Sequence, residues 1–324
     1  MSTKRDMKKK SIALLFSGQL RALDIELFRK SLALFIGNHF KFDIYISTWD
    51  IMGISMAHNE ENSITFHDSN IEIYLNEMFK GFNVKSRIIY NYDEWFHNMS
   101  DEYKEIQNSE NYTFNTKNSL AQLFLIQQSY EQVSSINEYD YFIRLRFDSI
   151  FFFELNEYLD KSIIYNLNFG EAYYPDRIYD IFFVVPRKYS NLLFKTYSII
   201  PELINSDFEN GLEKRDACRL LYLSVASLKD PPKVETLNYR YCDIFREKRG
   251  LLGYIYDIYY WKISVSNTFQ DKMKFLNSIS RLSYTMPLQF LFFLTTNPIK
   301  EFIIKHYQFL ILLLKSRIKT FISK

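Results

Sequence analysis

A short apolar run, Ser11–Phe16 (SIALLF), stops at Ser17-Gly18, and a second, Phe42–Thr48 (FDIYIST), follows soon after it. Between them Leu23, Leu27, Leu32 and Phe35 recur at helical spacing and end near Gly37-Asn38, a glycine-type helix stop. Continuous apolar runs bounded by turn residues fit strands buried on both faces. Strand, helix and strand within so short a stretch is the βαβ pattern, which commits the chain to an α/β fold.

The rest of the chain extends that pattern up to residue 245. Residues 51–85 are polar and irregular around a short predicted helix, Ile71–Phe79, and Ser86–Tyr90 reads as a strand. Asn118–Ile136 carries Leu120, Leu123, Phe124, Ile126 and Val133 on a helical period and leads into a predicted strand, Tyr139–Asp148. The Ile150–Phe153 run follows, then strands at Ser162–Leu167 and Ile178–Val185, the latter broken by Pro186. Helices near 187–200 and 212–228 and a strand near Val234–Asn238 complete this part. The expected organisation is a basic tail over 1–10, an α/β domain over 11–245, and a helical, basic-amphipathic region over 246–324.

Composition excludes several classes of function. Hydrophobic residues make up 47% of the 324 and aromatics 18%, enough for a large core; the default reading of the aromatics is as core. Lys+Arg number 40 against 38 Asp+Glu, a balance that gives no case for nucleic-acid binding. The two cysteines, Cys218 and Cys242, form neither a metal-ligand spacing nor a disulfide framework, which fits a reducing compartment. No stretch approaches the roughly 20 apolar residues of a spanning helix. A cytoplasmic protein is expected. The five histidines are scattered, and neither a Walker loop nor a Ser-His-Asp elbow occurs, so hydrolase and P-loop readings find no support.

Four constellations could carry chemistry. Ser17, Gly18, Gln19 and Arg21 follow the first strand, where open α/β sheets bind ligands. Glycine admits close approach to the backbone, and arginine offers a fork for phosphate or carboxylate, though an ordinary βα turn reads the same way. Ser47, Trp49 and Asp50 end the second strand; Trp49 could stack on a base or sugar, or simply cap the core. Arg144, Arg146 and Asp148 alternate along the RLRFD strand and would share one face. Charges on a buried strand need partners: diphosphate oxygens for the arginines and a cation for Asp148, or each other in an internal network. Glu171, Asp176 and Asp180 lie in an acidic stretch before the Ile181–Val185 strand and are candidates for a general base that takes a proton from a hydroxyl.

Residues 300–324 hold six basic residues against Glu301, interleaved with Phe302, Ile303, Ile304 and Phe309–Leu314. A basic helix with a broad apolar face suits an anionic membrane surface, or packs on its own domain with the basic side solvated.

The order SGQLR, DIYISTWD, NSLAQLF, YDYFIRLRFD and IYDIFFVVPRKYSNL resembles a group of bacterial glycosyltransferase-like proteins from capsule and lipopolysaccharide loci. The similarity covers about residues 11–245. It implies a GT-A-like (Rossmann-like) mixed sheet flanked by helices, a nucleotide-sugar donor, a saccharide or lipid-linked acceptor, and a divalent cation, Mn²⁺ or Mg²⁺. By position, Ser17, Gly18, Gln19 and Arg21 would line the nucleotide pocket. Arg144, Arg146 and Asp148 would form the diphosphate and metal end, with Asp180 on the acceptor side. Two departures stand out: Asp148 follows Arg146 and Phe147, so there is no DxD, and Phe147 stands where the group often has Pro. The missing DxD puts metal dependence in question. The expectation is a glycosyltransferase, peripheral at the inner face of the cell membrane. The rival readings are a transferase of sugar or polyol phosphates and a non-catalytic, membrane-associated scaffold of polysaccharide assembly.

Overall fold

A computed structural model describes residues 9–21, 25–53, 65–67, 71–108, 116–151, 155, 159–167, 177–206, 217–237 and 242–244. The chain divides into units of residues 1–265 and 266–324, and every described residue belongs to the first. Glu171, Asp176 and the expected basic-amphipathic region 246–324 lie outside the described residues.

The elements in chain order are β1 (Ser11–Ser17), α1 (Ile25–Ile36), β2 (Lys41–Trp49), β3 (Ile51–Gly53), β4 (Thr65–His67), α2 (Ile71–Met78) and β5 (Val84–Tyr90). Next come α3 (Tyr92–His97), α4 (Asp101–Asn108), α5 (Thr116–Glu131), β6 (Tyr141–Leu145), β7 (Ser149–Phe151), β8 (Ile163–Leu167) and β9 (Phe183–Pro186). The last are α6 (Arg187–Phe194), α7 (Ile200–Ser206), α8 (Ala217–Ala226), β10 (Lys233–Leu237) and β11 (Cys242–Ile244).

Seven strands form one mixed sheet in the order β10-β8-β9-β6-β1-β2-β5. β1 pairs parallel with β2 and β6, β2 with β5, and β8 with β10, while β9 runs antiparallel to both β6 and β8. Six strands therefore point one way and β9 alone points back. Ile12 to Phe16 on the central strand are wholly buried, as a strand covered on both faces requires. Alternation divides that strand between two cores. Ala13 and Leu15 pack with Leu123, Ile126 and Tyr130 of α5, and Phe16 meets Phe28, Phe79 and Phe147, its ring 4.9 Å from Phe79. Edge-to-face pairs of this kind add about 0.5–1.5 kcal/mol each beyond area burial. Among the described residues no helix is long and apolar enough to cross a membrane.

Three predicted boundaries move. The helix expected over 118–136 ends at Glu131, and Ile136–Glu138 forms a separate 3₁₀ turn. Ser134 and Ser135 lie between the two, and serine competes with the helix for backbone hydrogen bonds. The strand expected from 178 begins only at Phe183. Before it, Asn166 donates to the Arg177 carbonyl and accepts from the Tyr179 amide, and the Ile178 amide donates to the Cys218 carbonyl, so these backbone groups bond outside the sheet. The strand expected over 139–148 covers only Tyr141–Leu145, with a turn closed by the Ser149 amide donating to the Arg146 carbonyl at 3.3 Å. Side-chain alternation therefore fixes the face of Arg144 alone; Arg146 and Asp148 meet through the turn.

Candidate active site

From β1 the chain moves outward through β2 to β5 and then returns to β6 on the other flank of β1. The strand order thus reverses between β1 and β6, and the crevice beyond their carboxyl ends is where open α/β sheets bind ligands. β9, running backwards, brings its first residue to that same end, so the 177–182 segment arrives there too.

The turn leaving β1 is fastened to the end of β2. The Gly18 amide donates to the Ser47 carbonyl at 3.3 Å, and Thr48 Oγ1 donates to the Gly18 carbonyl at 2.9 Å. Gly18 has φ 128°, a conformation side-chain-bearing residues reach only with strain, so glycine belongs here for the backbone. Gln132 Nε2 holds Ser47 Oγ at 2.7 Å and the Ile46 carbonyl at 2.9 Å. Gln19 is half-buried, and the Arg21 carbonyl accepts from the Tyr74 hydroxyl.

Charge gathers at the end of β6. Asp148, 1% exposed, takes a two-pronged bond from Arg146, Nε to Oδ1 at 2.8 Å and Nη2 to Oδ2 at 2.7 Å, and Arg21 Nε lies 3.4 Å from Oδ2. Forks of this kind are the strong form of the ion pair. Arg144 is wholly buried. One terminal nitrogen donates to the Leu145 carbonyl, whereas Nε and Nη2 have no hydrogen-bond partner among the described residues. A Cβ placed on Gly18 would lie 3.8 Å from Arg144 Nη2, so the guanidinium sits against the Gly18 turn. Burial, then the charge of Arg146, pushes the Arg144 pKa down to about 9, opposed by Asp180 and Asp148. At neutral pH the group is charged, and that charge works against folding. Because the folded-state pKa is depressed, the penalty is full below about pH 9 and eases only above it. An anion in the crevice would relieve the same penalty at pH 7; at about 6 Å and an effective dielectric near 20, one unit charge is worth roughly 3 kcal/mol.

Asp180 joins the cluster from the segment before β9. Asn166, 3% exposed on β8, clamps Arg177 and Tyr179; Gln122 Nε2 of α5 donates to the Asp180 carbonyl at 3.4 Å; and the Cys218 thiol donates to Asp180 Oδ1 at 3.4 Å. Three elements thus hold this carboxylate within electrostatic reach of Arg144. Sequence reasoning missed Asn166, Gln132 and Cys218. A lone asparagine in the otherwise apolar IIYNL strand was a readable signal, whereas the glutamine and cysteine carried none.

The structure brings together Ser17, Gly18, Arg21, Ser47, Arg144, Arg146, Asp148 and Asp180. Trp49 is 4% exposed, stacks on Phe124 at 5.5 Å, and touches Tyr92 and Trp95, the core-capping arrangement of the two expected for this ring. Asp50 accepts from the Tyr92 amide at 3.0 Å and from Asn91 Nδ2 at 2.7 Å, which orients the start of α3. Trp49→Ala is expected to cost about 3–5 kcal/mol of stability, as for large-to-small core changes. Denaturant melts of the variant check this.

Asp148 is a poor fit for a cation ligand. Both its oxygens are engaged by Arg146, and Arg21 lies against one of them. In comparisons with known proteins, no family model and no curated protein matches the chain.

Proposed function

We propose that the protein is a glycosyltransferase that moves a sugar from a nucleotide-sugar donor to a cell-surface polysaccharide or lipid-linked acceptor. The observation that carries this reading is the cluster of Arg21, Arg144, Arg146, Asp148 and Asp180 beyond β1 and β6. Three guanidiniums against two carboxylates leave an excess positive charge at the strand-order reversal, suited to a diphosphate. A seven-stranded mixed sheet with helices around it fits the GT-A-like frame that the sequence resemblance implies.

In this reading the donor diphosphate lies over the Gly18 turn, with Ser17, Gln19 and Ser47 beside it. Arg21 supplies donors, and Arg146 and Arg144 contribute their positive charge. Asp180 takes the proton of the acceptor hydroxyl, and the acceptor oxygen bonds to the sugar's anomeric carbon. The bond from that carbon to the diphosphate oxygen breaks, and its electron pair leaves with the nucleotide. Fixed positive charge on the departing diphosphate is the main catalytic contribution. Glu171 and Asp176 stand as other candidates for the base.

The test is incubation of the full chain with UDP-, GDP- and CMP-sugars and acceptor-bearing membranes. One donor class is expected to release its nucleotide with label transferred to the acceptor. No release from any donor by folded protein would remove the reading. The protein is proposed to act at the cytoplasmic membrane face, held by the basic, apolar stretch near its C-terminus. Deleting residues after about 285 is then expected to move the protein from the membrane to the soluble fraction on flotation with anionic vesicles; unchanged partitioning would sink that assignment.

A further inference from the structure

We propose that this site binds its diphosphate without a divalent cation, the buried charge of Arg144 standing where other sites place a metal. The inference rests on the transferase reading above and goes beyond it.

Cations of the Mg²⁺ type are held through carboxylate oxygens together with the phosphates they bridge. Here the Asp148 carboxylate is already engaged on both oxygens: Arg146 holds them at 2.8 and 2.7 Å, and Arg21 Nε stands 3.4 Å from the second. A divalent ion would have to break a buried fork and settle among three guanidiniums. The second carboxylate, Asp180, accepts the Cys218 thiol on Oδ1 and sits opposite Arg144 electrostatically. The fork on Asp148 thus leaves neither of its oxygens open to a cation.

Arg144 shows the complementary property. Arg146 spends its fork on Asp148, but Arg144 is wholly buried, with Nε and Nη2 lacking any hydrogen-bond partner among the described residues. Buried polar groups are nearly always paired, so two unmatched nitrogens on one guanidinium call for a reason. Ser17 Oγ and Ser149 Oγ, at the same end of the sheet, are buried and unmatched as well. The guanidinium lies against the Gly18 turn, 3.8 Å from where a Cβ would stand. A fixed cation beneath a glycine turn supplies what a bound metal would, a positive charge close to the phosphates, and it cannot be chelated away.

The measurement is calorimetric titration of the full chain with UDP, GDP and inorganic pyrophosphate, each in excess EDTA and again in Mn²⁺ or Mg²⁺. The expected result is binding of a nucleoside diphosphate in EDTA with a Kd within about threefold of its value in metal. In Arg144→Met the EDTA affinity is expected to fall more than tenfold, and Arg144→Lys, which keeps the charge, should recover part of it. The wild-type comparison stands by itself if the methionine variant fails to fold. Binding seen only with metal and abolished by EDTA would overturn this inference and leave the transferase reading in place. No binding of any nucleotide under either condition would overturn both.

Discussion

Asp148→Ala is expected to destabilise the protein by about 3–5 kcal/mol, because it strips the buried counter-charge from Arg146 and Arg21 together. The carboxylate is 1% exposed, so bulk water screens the charges it leaves only weakly, and Arg144 loses one of the two negative charges that offset its burial. For a domain of this size that corresponds to a fall in Tm of roughly 10 °C. Adding Arg146→Met is expected to return about 1 kcal/mol or more, since a charge that has lost its partner costs more than an apolar side chain of similar length. Thermal and denaturant melts of the two single variants and the double variant give the coupling directly. A single-variant loss below about 0.5 kcal/mol would mean that Asp148 does not neutralise this cluster.

In the proposed transferase, Asp180→Asn is expected to have the opposite character: little effect on folding and a large one on turnover. Asparagine keeps the shape of aspartate, and Gln122 bonds the backbone carbonyl of residue 180, so the segment stays where Asn166 and Cys218 hold it. Removing a general base costs about 10²–10⁴ in rate, or roughly 3–5 kcal/mol of barrier. Donor affinity should hold or tighten, because a negative charge leaves the surroundings of Arg144. A fall in kcat with an unchanged or lower KM for the donor is therefore the expected pattern. If KM rose and kcat held, Asp180 would be a donor contact, and the base would have to be sought at Glu171 or Asp176.

The parts of the fold that could be read from the chain were those whose pattern is local. β1, β2 and β5 and the body of α5 announce themselves because apolar residues recur at a strand or helix period within one segment. The end of β6 could not be read this way. Phe147 continues the apolar–polar alternation, yet the chain turns at Arg146, where the fork to Asp148 and the packing of Phe147 on Phe16 take over from strand pairing. The reversed direction of β9 has no sequence signature at all. Trp49 went to the core because Phe124, far along the chain on α5, covers its ring, and nothing near Trp49 in sequence reveals that partner. The charged residues of RLRFD were legible as a problem, being too polar for a buried strand. Which of them pair with each other and which is left over only the tertiary arrangement decides.

The backward strand β9 has a bearing on how such a protein can diversify. β8 and β9 are antiparallel neighbours, and at their shared end Asn166 stands opposite Phe183 and bonds Arg177 and Tyr179. The Gly18 turn and the Arg146–Asp148 turn come from other strands, so the sequence between β8 and β9 can be exchanged without touching them. Lengthening a loop alters closure entropy only slowly, about 0.6 kcal/mol per doubling. Length changes in the sequence between β8 and β9 therefore leave the Gly18 and Arg146–Asp148 turns in place. In the proposed transferase, exchange of that sequence is expected to change the acceptor preference and keep the donor preference.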